Sequence, residues 1–201
     1  MSKLGFFGGT FDPPHMGHLN LAVSLKEQAG LDKVLVCPTS LSPLKAEDSL
    51  VAAGEHRLSM VRAAFDGVPG FEVVDTEIHL NEPSYTIDTI TGVKKKNEGD
   101  EIFLLLGADL IPRLSEWKEY KKLLSIASPL FGGRSGAFPT IPQDVPDEIK
   151  KIIENGMYAI PQFDVSATDI RHRLAEQLYC GHLVPSKVLD YIYEHSIYLS
   201  N

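Results

Sequence analysis

Short apolar runs alternate along this chain with stretches in which apolar residues recur at helical spacing. The apolar runs predict buried strands at 4–7, 34–37, 71–74, 102–106, 126–131 and 157–160. The other stretches predict helices at 17–29, 54–66, 86–96, 168–177 and 186–195. Strands that are apolar almost throughout and alternate with helices are typical of a parallel sheet covered on both faces. We therefore expect an α/β fold with a doubly wound parallel sheet.

The 201 residues, of which 43% are hydrophobic and 23% charged, have the composition of an ordinary folded protein. No repeat or linker interrupts the chain, so we expect a single domain over 1–201 with a small helical part from about 166 to 201. The sequence has neither a signal peptide nor a run of about 20 apolar residues. Its cysteines, Cys37 and Cys180, match no Cys-x-x-Cys motif, which suits a reducing compartment. These features predict a cytoplasmic protein.

The charge balance limits the kinds of partner. Asp and Glu number 27 against 19 Lys and Arg, which gives a formal net charge of −8. Proteins that bind nucleic acid non-specifically are usually basic, so we expect no nucleic-acid partner, and the same argument disfavours an anionic membrane surface. A small anionic substrate remains compatible, because a local positive site can exist on an acidic protein.

The segment after the first strand is the most informative part of the chain. It reads Gly8-Gly-Thr-Phe-Asp-Pro-Pro-His-Met-Gly-His18. Two glycines allow a ligand to approach the backbone closely, and the helix start that follows offers free N–H groups and a positive dipole end. His15 and His18 are three residues apart there, so their imidazoles can face the same side. The segment predicts a site for a phosphate chain that gains negative charge during a reaction.

Other interpretations of single residues remain open at this point. The two histidines could cap the helix or bind zinc, although the sequence has no His-Glu-x-x-His motif and no cysteine pair. Arg171 could be an exposed helix arginine, Asp109 a helix N-cap, and Trp117 a core residue. No Ser-His-Asp, Gly-x-Ser-x-Gly, Walker or Gly-x-Gly-x-x-Gly motif is present, so the sequence offers no recognised protein nucleophile.

Segment 8–18 resembles the nucleotidyltransferase superfamily that carries a His-x-Gly-His signature on a Rossmann-like sheet. Its full form is similar to the bacterial nicotinate mononucleotide adenylyltransferases, the branch that makes dinucleotides for NAD synthesis. Further segments strengthen the resemblance, namely Ser84-Tyr-Thr-Ile-Asp-Thr89, Leu106-Gly-Ala-Asp109 with Trp117, Ser166-Ala-Thr-Asp-Ile-Arg171, and Tyr191-Ile-x-x-His195-x-x-Tyr198. Together they extend over nearly the whole chain.

The resemblance implies a reaction in which ATP and nicotinate mononucleotide give deamido-NAD and pyrophosphate. It implies that Mg²⁺ enters with ATP, and it assigns no protein ligand to the metal. The implied catalytic residues are His15, His18, Lys45 and Arg171. The implied ATP contacts are Gly8, Gly9, Thr10, Phe11, His18, Gly107, Asp109, Ser166, Thr168 and Arg171. The implied contacts to the mononucleotide are Tyr85, Thr86, Trp117 and Arg134.

The chain departs from the family pattern at two places. Pro43-Leu44-Lys45 stands where the family has Pro-His-Lys, and Ser166-Ala167 stands where it has paired serines. Two alternatives to the leading function also remain: a different phosphate acceptor, such as nicotinamide mononucleotide, and a module that binds ATP without reacting it. Cytidylyl- and phosphopantetheine-transferring relatives share the first motif, but Trp117 and segment 84–89 argue against them.

Overall fold

The computed structural model describes residues 1–40, 51–80 and 83–200. Its strands are β1 (Lys3–Gly9), β2 (Lys33–Pro38), β3 (Phe71–Val73), β4 (Glu101–Gly107), β5 (Ser128–Gly133) and β6 (Met157–Ala159). They form one six-stranded sheet in the order β3-β2-β1-β4-β5-β6. This is the strand order of the doubly wound Rossmann fold. The predicted α/β fold with a parallel sheet flanked by helices is therefore confirmed.

In the described part of the chain, helical segments separate successive strands, and two further helices follow β6. They are α1 (Met16–Ala29), α2 (Gly54–Phe65), α3 (Thr86–Lys96), α4 (Tyr120–Ile126), α5 (Asp147–Asn155), α6 (Ala167–Ala175) and α7 (Ser186–Glu194). A 3₁₀ helix, Ala108–Glu116, follows β4 directly. None of the helices described combines the length and the apolar character that a membrane crossing needs.

The chain divides into two compact units, and the first comprises Met1–Phe7, Leu21–Leu35 and Tyr85–Gln162. Within it, β4 pairs in parallel with β1 and with β5, and β5 pairs in parallel with β6. The partners Leu105 and Leu130 are both buried at the centre of this pairing. Strands buried on both faces need apolar side chains in succession, which explains the unbroken run in β4.

The second unit comprises Gly8–Asn20, Val36–Ser84 and Phe163–Asn201. Its helices α2 and α7 pack against each other, and each contributes a buried apolar face. Leu58 and Val61 belong to the face of α2, and Val188 and Ile192 to the face of α7. The same unit also contains segment 8–18 and helix α6.

Three elements escaped prediction, and one strand was misplaced. The 3₁₀ helix carries Pro112 in its interior, which interrupts helical periodicity, and α4 has only seven residues. Helix α5 also lies outside the predicted helices. The strand predicted at 126–131 is wrong at its start, because Ile126 ends α4 and β5 runs over Ser128–Gly133. Its predicted end at residue 131 is also too early, because β5 continues through Gly132 and Gly133.

Candidate active site

A cavity of about 470 Å³ opens beside the segment that follows β1, within the second unit. Its lining residues are Thr10, Phe11, Asp12, His15, His18, Ala167, Thr168 and Arg171. Six of these eight are residues that the sequence predicted, since only Asp12 and Ala167 were not assigned a role. The volume lies in the range of small-molecule sites in proteins.

Two glycines, Gly9 and Gly17, leave space for the side-chain rings of Phe11 and His15. A Cβ on Gly9 would contact the Phe11 ring at 2.9 Å, and Phe11 itself has a positive φ of 50°. A Cβ on Gly17 would lie 3.1 Å from Nδ1 of His15 and 3.0 Å from a methyl group of Val165. A side chain at position 17 would therefore have to displace the His15 ring and the Val165 methyl group by a few tenths of an ångström.

The two histidines of the signature form one stacked pair. Their ring centroids are 3.7 Å apart and the planes are inclined by 24°. The backbone N–H of His15 donates to Nδ1 of His18 at 3.2 Å. Because Nδ1 of His18 accepts this hydrogen bond, the neutral ring of His18 carries its proton on Nε2, where it can donate to a ligand.

His15 is buried and lacks a partner for one of its ring nitrogens. Only 7% of the residue is exposed, and within the described residues its Nδ1 has no hydrogen-bond partner. Burial lowers the pKa of His15 from 6.5 to about 4, because the charged form loses its hydration. The ring is thus neutral at pH 7, which is compatible with a role as an acceptor or donor towards a bound anion.

Helix α6 brings Arg171 and Thr168 to the cavity. Ser166 is the N-cap, and its Oγ accepts the N–H of Asp169 at 3.1 Å while donating to that residue's carboxylate at 2.7 Å. Arg171, one turn further on, donates from Nη1 to the backbone oxygen of Asp12 at 2.8 Å. Its Nη2 lies 3.4 Å from Oγ1 of Thr168. Arg171 therefore lines the cavity and is not a freely exposed helix residue.

Asp12 connects the cavity to three other parts of the second unit. Its carboxylate accepts the N–H groups of Val51 and Ala52 at 2.9 and 3.1 Å and the hydroxyl of Tyr198 at 2.6 Å. Nη1 of Arg171 is 3.9 Å from the same carboxylate. Sequence reasoning treated Asp12 only as a member of the motif, because its partners lie about 40 to 190 positions away in the chain.

Arg57 is a second residue that sequence reasoning missed. It is 1% exposed, and its guanidinium donates to the backbone oxygens of Thr10, Thr39, Ser40 and Ala52 at 2.6 to 3.3 Å. Burial lowers the pKa of Arg57, although a guanidinium stays protonated in proteins. The signal was its position four residues before Val61 on the apolar face of α2, where a charged residue needs buried partners.

The residues predicted to contact the mononucleotide lie in the first unit. Tyr85 is the N-cap of α3, where it makes no side-chain capping bond, and Thr86 is the first residue of that helix. Nζ of Lys118 lies 4.2 Å from the centroid of the Tyr85 ring and 3.0 Å from the carboxylate of Asp88. Lys118 follows Trp117, whose Nε1 is buried and lacks a partner within the described residues.

The remaining predicted residues are placed as follows. Asp109 is the second residue of the 3₁₀ helix and not its N-cap, which is Gly107. A Cβ on Gly107 would collide with the Asp109 carboxylate, so this side chain folds back over the glycine. Arg134 follows β5 and is exposed. Gly8 and Gly9 end β1, and Lys45 lies outside the described residues.

Known proteins resemble this chain along its full length. The sequence model of the cytidylyltransferase-like family matches residues 6–173. The nicotinate-nucleotide adenylyltransferase of Bacillus subtilis (strain 168) is 34% identical over 201 residues, which cover 100% of both chains. A probable nicotinate-nucleotide adenylyltransferase of Bacillus pumilus (strain SAFR-032) is 36% identical over 201 residues, with the same coverage.

A solved structure shares the fold. The Plasmodium falciparum nicotinic acid mononucleotide adenylyltransferase complexed with NaAD has a TM-score of 0.76 and 19% identity, with 98% of each chain covered. Fold, motif and full-length similarity thus lead to one assignment. The chain belongs to the cytidylyltransferase-like family and, within it, to the nicotinate-nucleotide adenylyltransferases.

Proposed function

We propose that this protein transfers the adenylyl group of MgATP to the 5′-phosphate of nicotinate mononucleotide. The products are deamido-NAD, also called nicotinate adenine dinucleotide, and pyrophosphate. The observation that carries this proposal is the grouping of the stacked histidines, Thr168 and Arg171 around one cavity. Similarity over the full length to curated adenylyltransferases supports the choice of substrates.

The reaction needs no protein nucleophile. An oxygen of the acceptor phosphate attacks the α-phosphorus of ATP in line, and the bond from that phosphorus to the β-phosphate oxygen breaks. The electron pair leaves with pyrophosphate. The protein contributes positioning and stabilisation of the charge that spreads over the phosphoryl oxygens. Donors and cations around the phosphates therefore do most of the work.

His18 and His15 would act on the transferring α-phosphate. His18 offers an Nε2 proton because its Nδ1 is held by the N–H of His15. His15 enters the reaction neutral, and its unpartnered Nδ1 would gain a partner when a phosphate arrives. An anion beside the ring also favours the protonated form, which stabilises developing negative charge.

The β- and γ-phosphates would be held by residues of α6 together with residues of segment 8–18. Arg171 has five N–H donors, and the bonds to Asp12 and Thr168 leave others for phosphate oxygens. The hydroxyl of Thr168 and the backbone of Gly8, Gly9, Thr10 and Phe11 would contribute further contacts. We assign Lys45 as a second cation for these phosphates. Ser166 would act through the capping of α6.

The nicotinate ring and its carboxylate would be recognised in the first unit. The N-terminus of α3 at Tyr85 and Thr86 carries no side-chain cap, so its N–H groups suit a carboxylate. The indole of Trp117 would stack on the pyridinium ring. Asp109 would accept the ribose hydroxyls of ATP, and the exposed guanidinium of Arg134 would contact the substrate.

The Mg²⁺ ion would arrive as part of MgATP. Among the described residues, no three His, Cys, Asp or Glu side chains are grouped to hold a metal ion. Mg²⁺ in phosphate-transferring sites is commonly held by substrate phosphates, water and only one or two carboxylates. We also propose a cytoplasmic location, which the free thiols of Cys37 and Cys180 support.

A pyrophosphate-release assay with MgATP and either nicotinate or nicotinamide mononucleotide tests the proposal. We expect the wild-type protein to release pyrophosphate and to prefer nicotinate mononucleotide strongly over nicotinamide mononucleotide. Release with the amide alone would keep the chemistry and overturn the assigned acceptor. A folded protein that releases pyrophosphate with neither acceptor would contradict the proposed activity.

A further inference from the structure

Tyr198 lies far along the chain from segment 8–18, but its side chain forms a hydrogen bond with Asp12 of that segment. Its hydroxyl donates to Oδ1 of Asp12 at 2.6 Å, and both residues are buried, with 9% and 3% exposed. Burial and the neighbouring carboxylate raise the pKa of Tyr198, so the phenol keeps its proton and remains the donor. Two buried groups are thus held in one strong hydrogen bond.

The backbone around Tyr198 adopts a conformation that bulky residues rarely take. Tyr198 has a φ of 63°, and Ser196 has a φ of 52°. Between them, the N–H of Ile197 donates to the backbone oxygen of Ile192 at 3.0 Å and thereby closes the turn after α7. Such left-handed conformations persist where surrounding contacts determine them, and they occur preferentially at functional sites.

Asp12 is the residue through which Tyr198 can reach the cavity. The same Asp12 accepts Nη1 of Arg171 on its backbone oxygen at 2.8 Å, and its carboxylate is 3.9 Å from that nitrogen. The phenol and the N–H groups of Val51 and Ala52 supply three donors to the carboxylate. A carboxylate satisfied in this way is kept from forming a closer ion pair with Arg171.

We propose that Tyr198 is a positioning residue for the phosphate site: its hydroxyl holds the Asp12 carboxylate, and Asp12 presents the Arg171 guanidinium to the cavity. Without the hydroxyl, the Asp12 carboxylate loses one of its donors and forms a closer ion pair with the Arg171 guanidinium. The carboxylate then competes with the phosphates of ATP for this guanidinium. This inference rests on the proposed function, because that function assigns Arg171 to the phosphates.

The variant Tyr198→Phe removes only the hydroxyl and is tested in the full chain. The probe is the Mg²⁺ complex of α,β-methylene-ATP, whose Kd is measured by calorimetry, alongside the KM values of ATP and nicotinate mononucleotide. We expect the Kd of the analogue and the KM of ATP to rise about tenfold. This corresponds to the loss of one charge-assisted hydrogen bond from Arg171 to the phosphates. The KM of nicotinate mononucleotide should change less than twofold. The matched control is Tyr193→Phe, on the exposed side of α7, which should behave as wild type.

A double-mutant cycle separates positioning from a purely structural contribution. If Tyr198 acts through Arg171, then Tyr198→Phe should have no further effect on the Kd of the analogue in an Arg171→Ala background. An equal loss in both backgrounds would overturn the proposal, as would an equal rise in the KM of both substrates. If Tyr198→Phe does not fold, Asp12→Asn provides the second variant, with the same coupling to Arg171 expected.

The same measurements distinguish this inference from the proposed function. A wild-type protein that binds the ATP analogue but releases no pyrophosphate would contradict the activity, while the calorimetric cycle would still report on Tyr198. Conversely, an active enzyme with an unchanged Kd for the analogue in Tyr198→Phe would retain the activity and refute the positioning role.

Discussion

The backbone N–H of His15 donates to Nδ1 of His18, and the two imidazole rings stack with their centroids 3.7 Å apart. The hydrogen bond determines which nitrogen of His18 carries the proton in the neutral ring. The stack places both rings on one wall of the cavity. Each histidine ring is therefore in contact with the other. Substitutions of His18 and of His15 test different properties, namely turnover and the pH dependence of stability.

His18→Ala removes the Nε2 donor from the cavity. We expect kcat to fall by about 10²–10³, the usual cost of losing one donor to a developing oxyanion, while the melting temperature changes little. Steady-state pyrophosphate release and calorimetry on the same samples provide the measurement. His172→Ala, an exposed histidine of α6, is the control and should retain full activity. Near-normal turnover of His18→Ala would remove His18 from the mechanism.

The burial of His15 makes stability depend on pH. Its pKa is about 4 in the folded protein and 6.5 in the unfolded chain, so the unfolded state binds more protons between these values. Stability therefore falls as the pH decreases from about 6.5 to about 4. Between pH 7 and pH 5, the free energy of unfolding should fall by about 2 kcal/mol more in wild type than in His15→Gln. Urea unfolding at both pH values measures this difference. If the free energy of unfolding falls by the same amount in both proteins, the pKa of His15 is not lowered by folding.

Arg57→Ala would leave the backbone oxygens that Arg57 binds without their donor. We expect it to lower the free energy of unfolding by about 3–5 kcal/mol, since buried polar groups would lose their partners. Arg62→Ala, on the exposed side of the same helix, should cost less than about 1 kcal/mol, because its ion pair with Asp75 is exposed. Urea unfolding of both variants gives the comparison. Equal effects would mean that the buried bonds of Arg57 contribute no more than a surface pair.

Gly17→Ala tests the room that the His15 ring needs. The added Cβ would lie 3.1 Å from Nδ1 of His15, so the ring must shift, and we expect kcat to fall about tenfold or more. Gly92→Ala is the control, because a Cβ at Gly92 in α3 meets nothing within 4 Å. That variant should gain about 0.5–1 kcal/mol of stability with unchanged activity. A Gly17→Ala enzyme with normal kcat would show that the ring position is not critical.

The parts of the site that were predicted depend on residues close together in sequence. The order of strand, segment 8–18 and helix start is local, so His15 and His18 could be placed in one phosphate site from the residues themselves. Thr10 and Phe11 were assigned to ATP by the resemblance. Thr168 and Arg171 were recognised only through a resemblance. Their proximity to His15 is a tertiary fact, which the shared cavity now establishes.

The parts that were missed depend on contacts between distant segments. Arg57 and Asp12 bind backbone atoms and a phenol. The position of Arg57 on the apolar face of α2 indicates that it needs buried partners, but the residue types do not indicate which partners these are. The hydrogen bond from Tyr198 to Asp12 spans 186 positions. The 3₁₀ helix after β4 was missed for a different reason, since Pro112 removes the periodicity by which helices are recognised.

The attachments on either side of residues 41–50 have a consequence for protein engineering. Before this segment, Arg57 binds the backbone oxygens of Thr39 and Ser40, and after it Asp12 binds the N–H groups of Val51 and Ala52. Every amino acid supplies a backbone oxygen, and every one except proline supplies an N–H. The bonds to Arg57 and Asp12 therefore depend on the backbone at Thr39, Ser40, Val51 and Ala52 and not on the side chains there, so these four positions can be varied in an engineered protein, with proline excluded at 51 and 52.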